Sequence, residues 1–148
     1  MTSTGAPSPF AMGRTATTMR DKAAADPLRS AAERRGRRAE TIAAWFLRAK
    51  GYRLLARRVK TPVGEIDLIM RRRKTIVFIE VKQRPSEAEA LDAVTAKGRR
   101  RIARAAQYWL AGHPAAAGLD LRYDVIVALP GRLPRHHVSL FDVDGGAW

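Results

Sequence analysis

Three charged residues interrupt two segments of the chain that are otherwise strongly apolar. Asp67 lies within EIDLIM, and Glu80 and Lys82 lie within TIVFIEVK. A buried charge is costly unless it is paired or binds a metal ion. Because residues i and i+2 of a β-strand point the same way, we expect Glu80 and Lys82 to project side by side from one face of a strand. These residue types at this spacing favour either a structural ion pair or a divalent-cation site.

The short basic turn RRRK joins the two segments and predicts a β-hairpin that brings Asp67 beside the strand of Glu80. With the turn centred after Arg72, Asp67 would lie near Phe78 and one diagonal step from Glu80. Two converging carboxylates repel each other, and the ionised pair is tolerable only when a cation lies between them. The hairpin therefore predicts that Asp67 and Glu80 share a cation.

Carboxylate oxygens suit Mg²⁺, or Mn²⁺ in its place, and Mg²⁺ completes its shell with water and substrate phosphate. Lys82 would then hold or help to deprotonate a water molecule, or stabilise the charge that builds on a phosphate under attack. This combination is typical of an enzyme that cleaves phosphodiester bonds.

Bulk charge points to the same class of substrate. The 148-residue chain has 28 Lys and Arg against 14 Asp and Glu, a formal net charge of +14. An excess of this size favours a polyanionic partner. Nucleic acid is favoured over an anionic membrane, because no amphipathic helix with bulky apolar residues is evident and no apolar run approaches the roughly 20 residues that span a bilayer. Cysteine is absent, which suits a cytoplasmic protein.

Hydrophobic periodicity predicts an α/β domain. Residues 1–30 have no apolar period and are expected to be a disordered extension, with one domain over residues 31–148. The domain is predicted to contain a helix over 31–50, strands over 52–60, 65–70 and 75–82, a helix over 95–111, and strands over 121–129 and 136–143. Apolar residues on both strand faces indicate a central mixed sheet flanked by helices, in the order α-β-β-β-α-β-β.

The first predicted helix carries a candidate site residue. Ala39, Ile42, Ala43 and Phe46 form its apolar stripe, and Glu40 lies at the edge of that stripe. Glu40 is therefore expected to lean over the sheet without being buried outright.

Arginines cluster in the first turns of this helix, where the helix dipole disfavours cations, and a bound anion would offset that cost. A second basic face lies on the helix over 95–111. The candidate nucleic-acid-binding residues are Arg34, Arg35, Arg37, Arg38, Arg84, Lys97, Arg99, Arg100, Arg101 and Arg104.

The order of these motifs resembles a known family. GEIDLI, a short basic turn and IVFIEVKQR are similar to the core of PD-(D/E)xK nucleases, and most closely to the YraN-like family of restriction-endonuclease-like proteins. RRAETIAAWFL followed by KGY, TAKGRRRIARAAQYWL and YDVIVA extend the resemblance over residues 34–148. One departure is Ala39, where the family usually has Gly before the first-helix Glu.

The resemblance implies a restriction-endonuclease-like fold and a metal-dependent endonuclease that hydrolyses DNA, branched or structured DNA included. By position, Asp67 and Glu80 correspond to the metal-binding carboxylates and Lys82 to the catalytic lysine. Glu40 corresponds to the first-helix acid that related Holliday-junction resolvases place beside the metal, and Glu65 is a weaker candidate. The implied cofactor is Mg²⁺ or Mn²⁺ and the implied partner is DNA; a homodimer is left open.

Other interpretations of the same residues remain open at this point. The fold could serve a non-catalytic nucleic-acid-binding module, with Glu80 and Lys82 as a structural ion pair. Glu40 could be an exposed helix acid paired with Arg37 or Arg48. Asp124 is expected to be a structural acid at a strand end.

Overall fold

A central β-sheet organises the structure, a computed structural model that describes residues 26–141. In chain order the elements are α1 (Pro27–Ala49), β1 (Arg53–Thr61), β2 (Gly64–Arg72), β3 (Thr75–Gln83), α2 (Glu87–Asp92), α3 (Ala96–Ala111), a 3₁₀ turn (Pro114–Ala116), β4 (Asp120–Ala128) and β5 (Arg135–Phe141). Strand order in the sheet follows the sequence. Strands β3 and β4 are parallel, and the other neighbouring pairs are antiparallel. The predicted α/β fold with a mixed sheet is confirmed.

Local sequence signals explain where the two long helices begin. The Asp26 side chain caps α1 by accepting a hydrogen bond from the Leu28 amide at 3.0 Å, and Pro27 fills the first turn. The Thr95 hydroxyl accepts from the Gly98 amide at 3.1 Å and caps α3. Within residues 26–141, no helix is both long and apolar enough to cross a membrane.

The helices cover opposite faces of the sheet and create two cores. We call the first the α3-side core; it includes Ile66, Ile69 and Phe78, packed against α3. We call the second the α1-side core; it includes Leu47 and Leu68. Burial on both faces explains why the strands read as nearly continuous apolar runs, and it makes any charged residue within them conspicuous.

Three details differ from the prediction. Helix α1 begins at Pro27, four residues earlier than predicted; residues 1–25 lie outside the described range, so their predicted disorder stays a prediction. Helix α2 was not predicted, although Ser86 caps it in an S-x-x-E pattern with Glu89. The buried face of α1 is also rotated relative to the predicted apolar stripe. Ile42, which belongs to that stripe, is 43% exposed, whereas Leu47, which lies outside it, is fully buried.

A buried polar cluster joins the C-terminal strands and contains Asp124, which is fully buried. Arg122 donates to both Asp124 oxygens at 2.9 and 2.8 Å, His136 Nε2 lies 2.7 Å from Oδ2, and the Ser139 amide donates at 2.9 Å. Burial alone would raise the pKa of Asp124, but the hydrogen bonds from His136, Arg122 and Ser139 outweigh it and lower the pKa. Asp124 therefore has a structural role in holding β4 against β5.

We expect Asp124→Ala to destabilise the domain by about 3–5 kcal/mol, because Arg122 would lose its buried counter-charge. Asp120→Ala removes an exposed carboxylate from the same strand and should change the free energy of unfolding by no more than about 0.5 kcal/mol. Urea denaturation of both variants measures the difference. Equal stabilities for the two variants would show that the Asp124 cluster does not hold the strands together.

Candidate metal and nucleic-acid site

The hairpin of β2 and β3 determines which charged residues meet. Its ladder runs from Arg72 opposite Thr75 to Leu68 opposite Ile79. The two-residue turn is therefore Arg73 and Lys74, one position later than predicted, with Arg73 at a left-handed φ of 55°. Continuing the register places Asp67 opposite Glu80. The predicted register, with Asp67 opposite Phe78, was wrong by two residues, and the correction brings the two carboxylates closer together.

Backbone pairing between β2 and β3 stops at the level of Asp67. The last paired residues are Leu68 and Ile79, and beyond them the Asp67 carboxylate accepts a hydrogen bond from the Val81 amide at 2.8 Å. A side-chain oxygen thus takes the place of a backbone carbonyl as the acceptor for β3. The strands separate at this point, and the polar end of Asp67 lies between them.

The alternation of β2 side chains between the two faces of the sheet is also broken at Asp67. Leu68 belongs to the α1-side core, whereas both Ile66 and Ile69 belong to the α3-side core. Residues three apart should face opposite sides of a regular strand. Ala56 and Val59 of β1 show the same irregularity, since both pack against the α3-side core. The sheet is therefore irregular in two adjacent strands beside the candidate site.

Glu80 and Lys82 lie side by side on β3, as predicted. Lys82 Nζ is 2.5 Å from Glu80 Oε1, and the two side chains are 22% and 17% exposed for Lys82 and Glu80 respectively. Glu80 and Lys82 flank Val81 along β3. Because Val81 packs against the α1-side core, its two neighbours face the side of the sheet that α3 covers. The ion pair leaves Glu80 Oε2 available for another cation.

Glu40 approaches the same place from α1. It is buried, whereas the prediction placed it at the edge of the apolar stripe of that helix. It is 9% exposed, and its Oε2 atom has no hydrogen-bond partner. The nearest cation is Arg58, whose Nε lies 3.6 Å from that oxygen. Burial raises the pKa of Glu40, and nearby Arg58 opposes the shift. Neither of the pairings considered for Glu40 in an exposed position, with Arg37 or with Arg48, is formed.

Two clefts meet at these residues. A cleft of about 550 Å³ lies between the sheet and α3, where Lys97 and Arg101 contribute to its wall. A second cleft of about 440 Å³ lies on the α1 side, where Arg35 and Arg84 contribute. Glu40, Asp67 and Lys82 line both clefts. An extended polyanion could therefore contact basic side chains on either side of the acidic centre.

The remaining predicted basic residues line neither of these two clefts. Arg34, Arg37 and Arg38 are on α1, and Arg100 and Arg104 are on α3 beside a groove of about 360 Å³. Arg99 differs, because its guanidinium donates to the Val94 carbonyl at 3.3 Å and it is partly buried. The basic surface of α3 thus consists mainly of Lys97, Arg100, Arg101 and Arg104.

The electrostatics of the acidic centre favour a bound cation. Burial, together with the charge of Glu80, raises the pKa of Asp67 to about 7, although the Val81 amide opposes the shift. A cation between Asp67 and Glu80 would remove this repulsion. Within residues 26–141, no three His, Asp or Glu side chains stand together as a ready metal cage. A cation here would need water or phosphate to complete its shell, which is how Mg²⁺ usually binds.

The unpartnered Glu40 oxygen and the crowded Asp67 carboxylate fit a divalent cation chemically. Arg58 and the Asp67–Val81 hydrogen bond were not anticipated from the sequence. A positive φ at an arginine has no signature in composition or periodicity, so no sequence signal could have found Arg58. The Asp67–Val81 contact depends on register, which the ambiguous turn RRRK left open.

An α/β domain with a five-stranded mixed sheet between helices is compatible with a restriction-endonuclease-like core, and the acidic centre lies where two of its strands separate. The chain belongs to a family described as "Uncharacterised protein family UPF0102", whose family model matches residues 39–128. The resemblance to the YraN-like family is thereby confirmed.

Relatives in this family are similar over most of their lengths. A UPF0102 protein of Bradyrhizobium diazoefficiens is 52% identical over 118 residues, 80% of this chain and 89% of the relative. One from Rhodopseudomonas palustris is 50% identical over 116 residues, 78% of this chain and 89% of the relative. One from Nitrobacter winogradskyi is 50% identical over 115 residues, 78% of this chain and 98% of the relative.

We expect Asp67→Asn to stabilise the metal-free domain, and the gain should grow between pH 4 and 7. The pKa of Asp67 is about 7 in the folded protein, against an ordinary value of 3.8 for an aspartate in water. The folded state thus holds the proton more tightly, so ionising Asp67 costs stability as the pH rises through that window and the cost is constant above it. Asn cannot ionise and still accepts from the Val81 amide.

Thermal denaturation at several pH values in the presence of a chelator measures this difference in stability. Asp92→Asn, at an exposed carboxylate, is the matched control and should show no such trend. A gain for Asp67→Asn that is the same at pH 4 and pH 8 would contradict the raised pKa of Asp67.

Proposed function

We propose that the protein is an endonuclease that depends on a divalent cation and hydrolyses phosphodiester bonds in DNA. The observation that carries the proposal is the convergence of Asp67, Glu80 and Lys82, with the unpartnered Oε2 of Glu40, at the meeting point of two basic clefts. An acidic centre is unusual on a chain whose net charge is +14. Such a centre is explained when a divalent cation neutralises its carboxylates and the basic residues around it bind the phosphates of a nucleic acid.

Asp67 and Glu80 are the proposed ligands of Mg²⁺ or Mn²⁺. Glu40 offers the same centre its Oε2 atom, which accepts no hydrogen bond and has Arg58 at 3.6 Å. The cation, when bound, supplies Lewis-acid activation of the scissile phosphate. Asp67 is held in place by the Val81 amide and Glu80 by Lys82, so both carboxylates are already oriented. Prior orientation of this kind lowers the cost of binding.

Lys82 is the proposed catalytic group. Its ammonium can hold the attacking water and stabilise the negative charge that accumulates on the phosphate oxygens. Attack of the water oxygen on phosphorus forms one P–O bond and breaks the bond to the leaving sugar oxygen. The attacking water releases one proton to solvent, and the leaving oxygen takes up one proton from solvent. Lys82 lines both clefts, so a strand that passes from one cleft to the other would run beside it.

The basic walls provide the proposed binding surface for DNA. Lys97 and Arg101 flank the acidic centre on the α3 side, and Arg35 and Arg84 flank it on the α1 side. Arginine binds phosphate through a planar, two-pronged contact. A substrate whose backbone turns at the acidic centre, such as branched or structured DNA, could reach both walls. The proposal places the enzyme in the cytoplasm, where it would encounter DNA.

A second candidate is a nucleic-acid-binding module without turnover. The observation that favours it is the close Lys82–Glu80 ion pair, since a lysine held in this way could serve structure alone. The two candidates assign different consequences to the loss of Lys82, and kinetic measurements separate them.

Lys82→Ala should lower Mg²⁺-dependent cleavage of a branched DNA by about 10²–10⁴-fold while DNA affinity changes little. A catalytic ammonium acts mainly in the transition state, and the chain retains many other cations for binding. Arg100→Ala with Arg104→Ala, which removes two cations of α3, should weaken binding instead and leave single-turnover cleavage at saturation near the wild-type rate.

Single-turnover kinetics and fluorescence anisotropy on the same labelled DNA provide both readouts. Wild-type protein that binds branched, flapped and single-stranded DNA, but cleaves none of them with Mg²⁺ or Mn²⁺, would refute the nuclease proposal and support the binding module.

A further inference from the structure

Arg58 of β1 is the cation nearest to the unpartnered oxygen of the acidic centre. Its Nε lies 3.6 Å from Glu40 Oε2 and 3.6 Å from Glu65 Oε1. It therefore lies between a carboxylate of α1 and a carboxylate of β2, and it lines the α3-side cleft together with Asp67. Neither the sequence motifs nor the proposed chemistry assigns a role to this residue.

The backbone of Arg58 has a strained φ angle, a feature that is common at functional sites. Its φ is 50°, in the left-handed region that side chains other than glycine and asparagine rarely adopt. Pairing of Arg57 with Leu68 and of Val59 with Ile66 places Arg58 opposite Asp67. At this level, both β1 and β2 break the regular alternation of side chains between the two faces of the sheet. Strain of this kind persists only where the surroundings hold it, and it is frequent at ligand-binding sites.

The contacts of Arg58 suit a cation that can move away. At 3.6 Å its two ion pairs are longer than hydrogen bonds, and its side chain is 39% exposed. Arg122 provides the contrast, because its guanidinium is fixed on Asp124 by hydrogen bonds of 2.9 and 2.8 Å. Charge holds Arg58 near Glu40, but no directional bond fixes it there.

We propose that Arg58 is a positioning residue that neutralises Glu40 and Glu65 in the metal-free protein and competes with the divalent cation for Glu40. The inference rests on the proposed function, since it takes Asp67 and Glu80 as the ligands of that cation. While the guanidinium stays beside Glu40, it neutralises the carboxylate that a divalent cation would otherwise use. Arg58 thereby sets how tightly the divalent ion is held before DNA arrives.

Isothermal titration of the full-length protein with Mn²⁺ tests this inference without any substrate. Arg58→Asn removes the charge, and asparagine tolerates a left-handed φ. We expect this variant to bind Mn²⁺ about five- to tenfold more tightly than the wild-type protein, because Glu40 loses the cation that competes with Mn²⁺ for it. Arg58→Lys keeps the charge and should bind Mn²⁺ as the wild-type protein does.

Two controls separate the local effect from a general one. Arg53→Asn removes the same charge at the start of the same strand and should leave Mn²⁺ affinity unchanged. In a Glu40→Gln background, Arg58→Asn should lose its effect, because the double-mutant cycle isolates interactions that pass through Glu40. Arg58→Gly, which also permits a positive φ, replaces the asparagine variant if that variant fails to fold.

Equal or weaker Mn²⁺ binding by Arg58→Asn would overturn the inference, as would tighter binding by Arg53→Asn to the same degree. In both cases the wild-type protein would still bind Mn²⁺, so the proposed function would stand. A wild-type protein that binds no Mn²⁺ at the acidic centre would refute the proposed function and this inference together.

Discussion

The hydrogen bond from the Val81 amide to the Asp67 carboxylate is the interaction on which the acidic centre depends. It satisfies a backbone donor of β3 at the level where pairing with β2 ends, and it holds a carboxylate between two strands that are otherwise largely apolar. A regular ladder would have required a backbone acceptor there and no opening between the strands. Because the ladder ends in this way, two clefts from opposite faces of the sheet meet at one point.

Charge separates this centre from the rest of the molecule. The chain is strongly basic, yet Asp67 and Glu80 lie on neighbouring strands near Glu40, where Lys82 pairs with Glu80 and Arg58 lies 3.6 Å from Glu40. Each carboxylate is partly desolvated, so their mutual repulsion is stronger than it would be at the surface. We propose that a divalent cation is the ligand that relieves this repulsion, with the phosphate of a nucleic acid bound by the surrounding arginines.

The sequence was sufficient for the order of the strands and the two long helices, for a sheet covered on both faces and for the pairing of Glu80 with Lys82, because these follow from alternation and periodicity. It was insufficient for register, since the four consecutive basic residues of the turn offered no glycine or asparagine to locate the bend. It also misjudged the burial of Glu40, because the small alanines of α1 gave a weak stripe whose direction was uncertain by one position. The position of Arg58 could not be predicted from the sequence, because backbone strain at an arginine leaves no pattern in composition or periodicity.

The central claim is that Asp67 and Glu80 together hold a divalent cation at the point where β2 and β3 separate. Crystals soaked in Mn²⁺ test it directly, because anomalous scattering locates the ion without any assumption about activity. The account predicts one strong peak about 2.0–2.3 Å from a carboxylate oxygen of each residue, with water completing the shell. Ordered crystals with no peak there, or with Mn²⁺ bound only elsewhere on the surface, would contradict it.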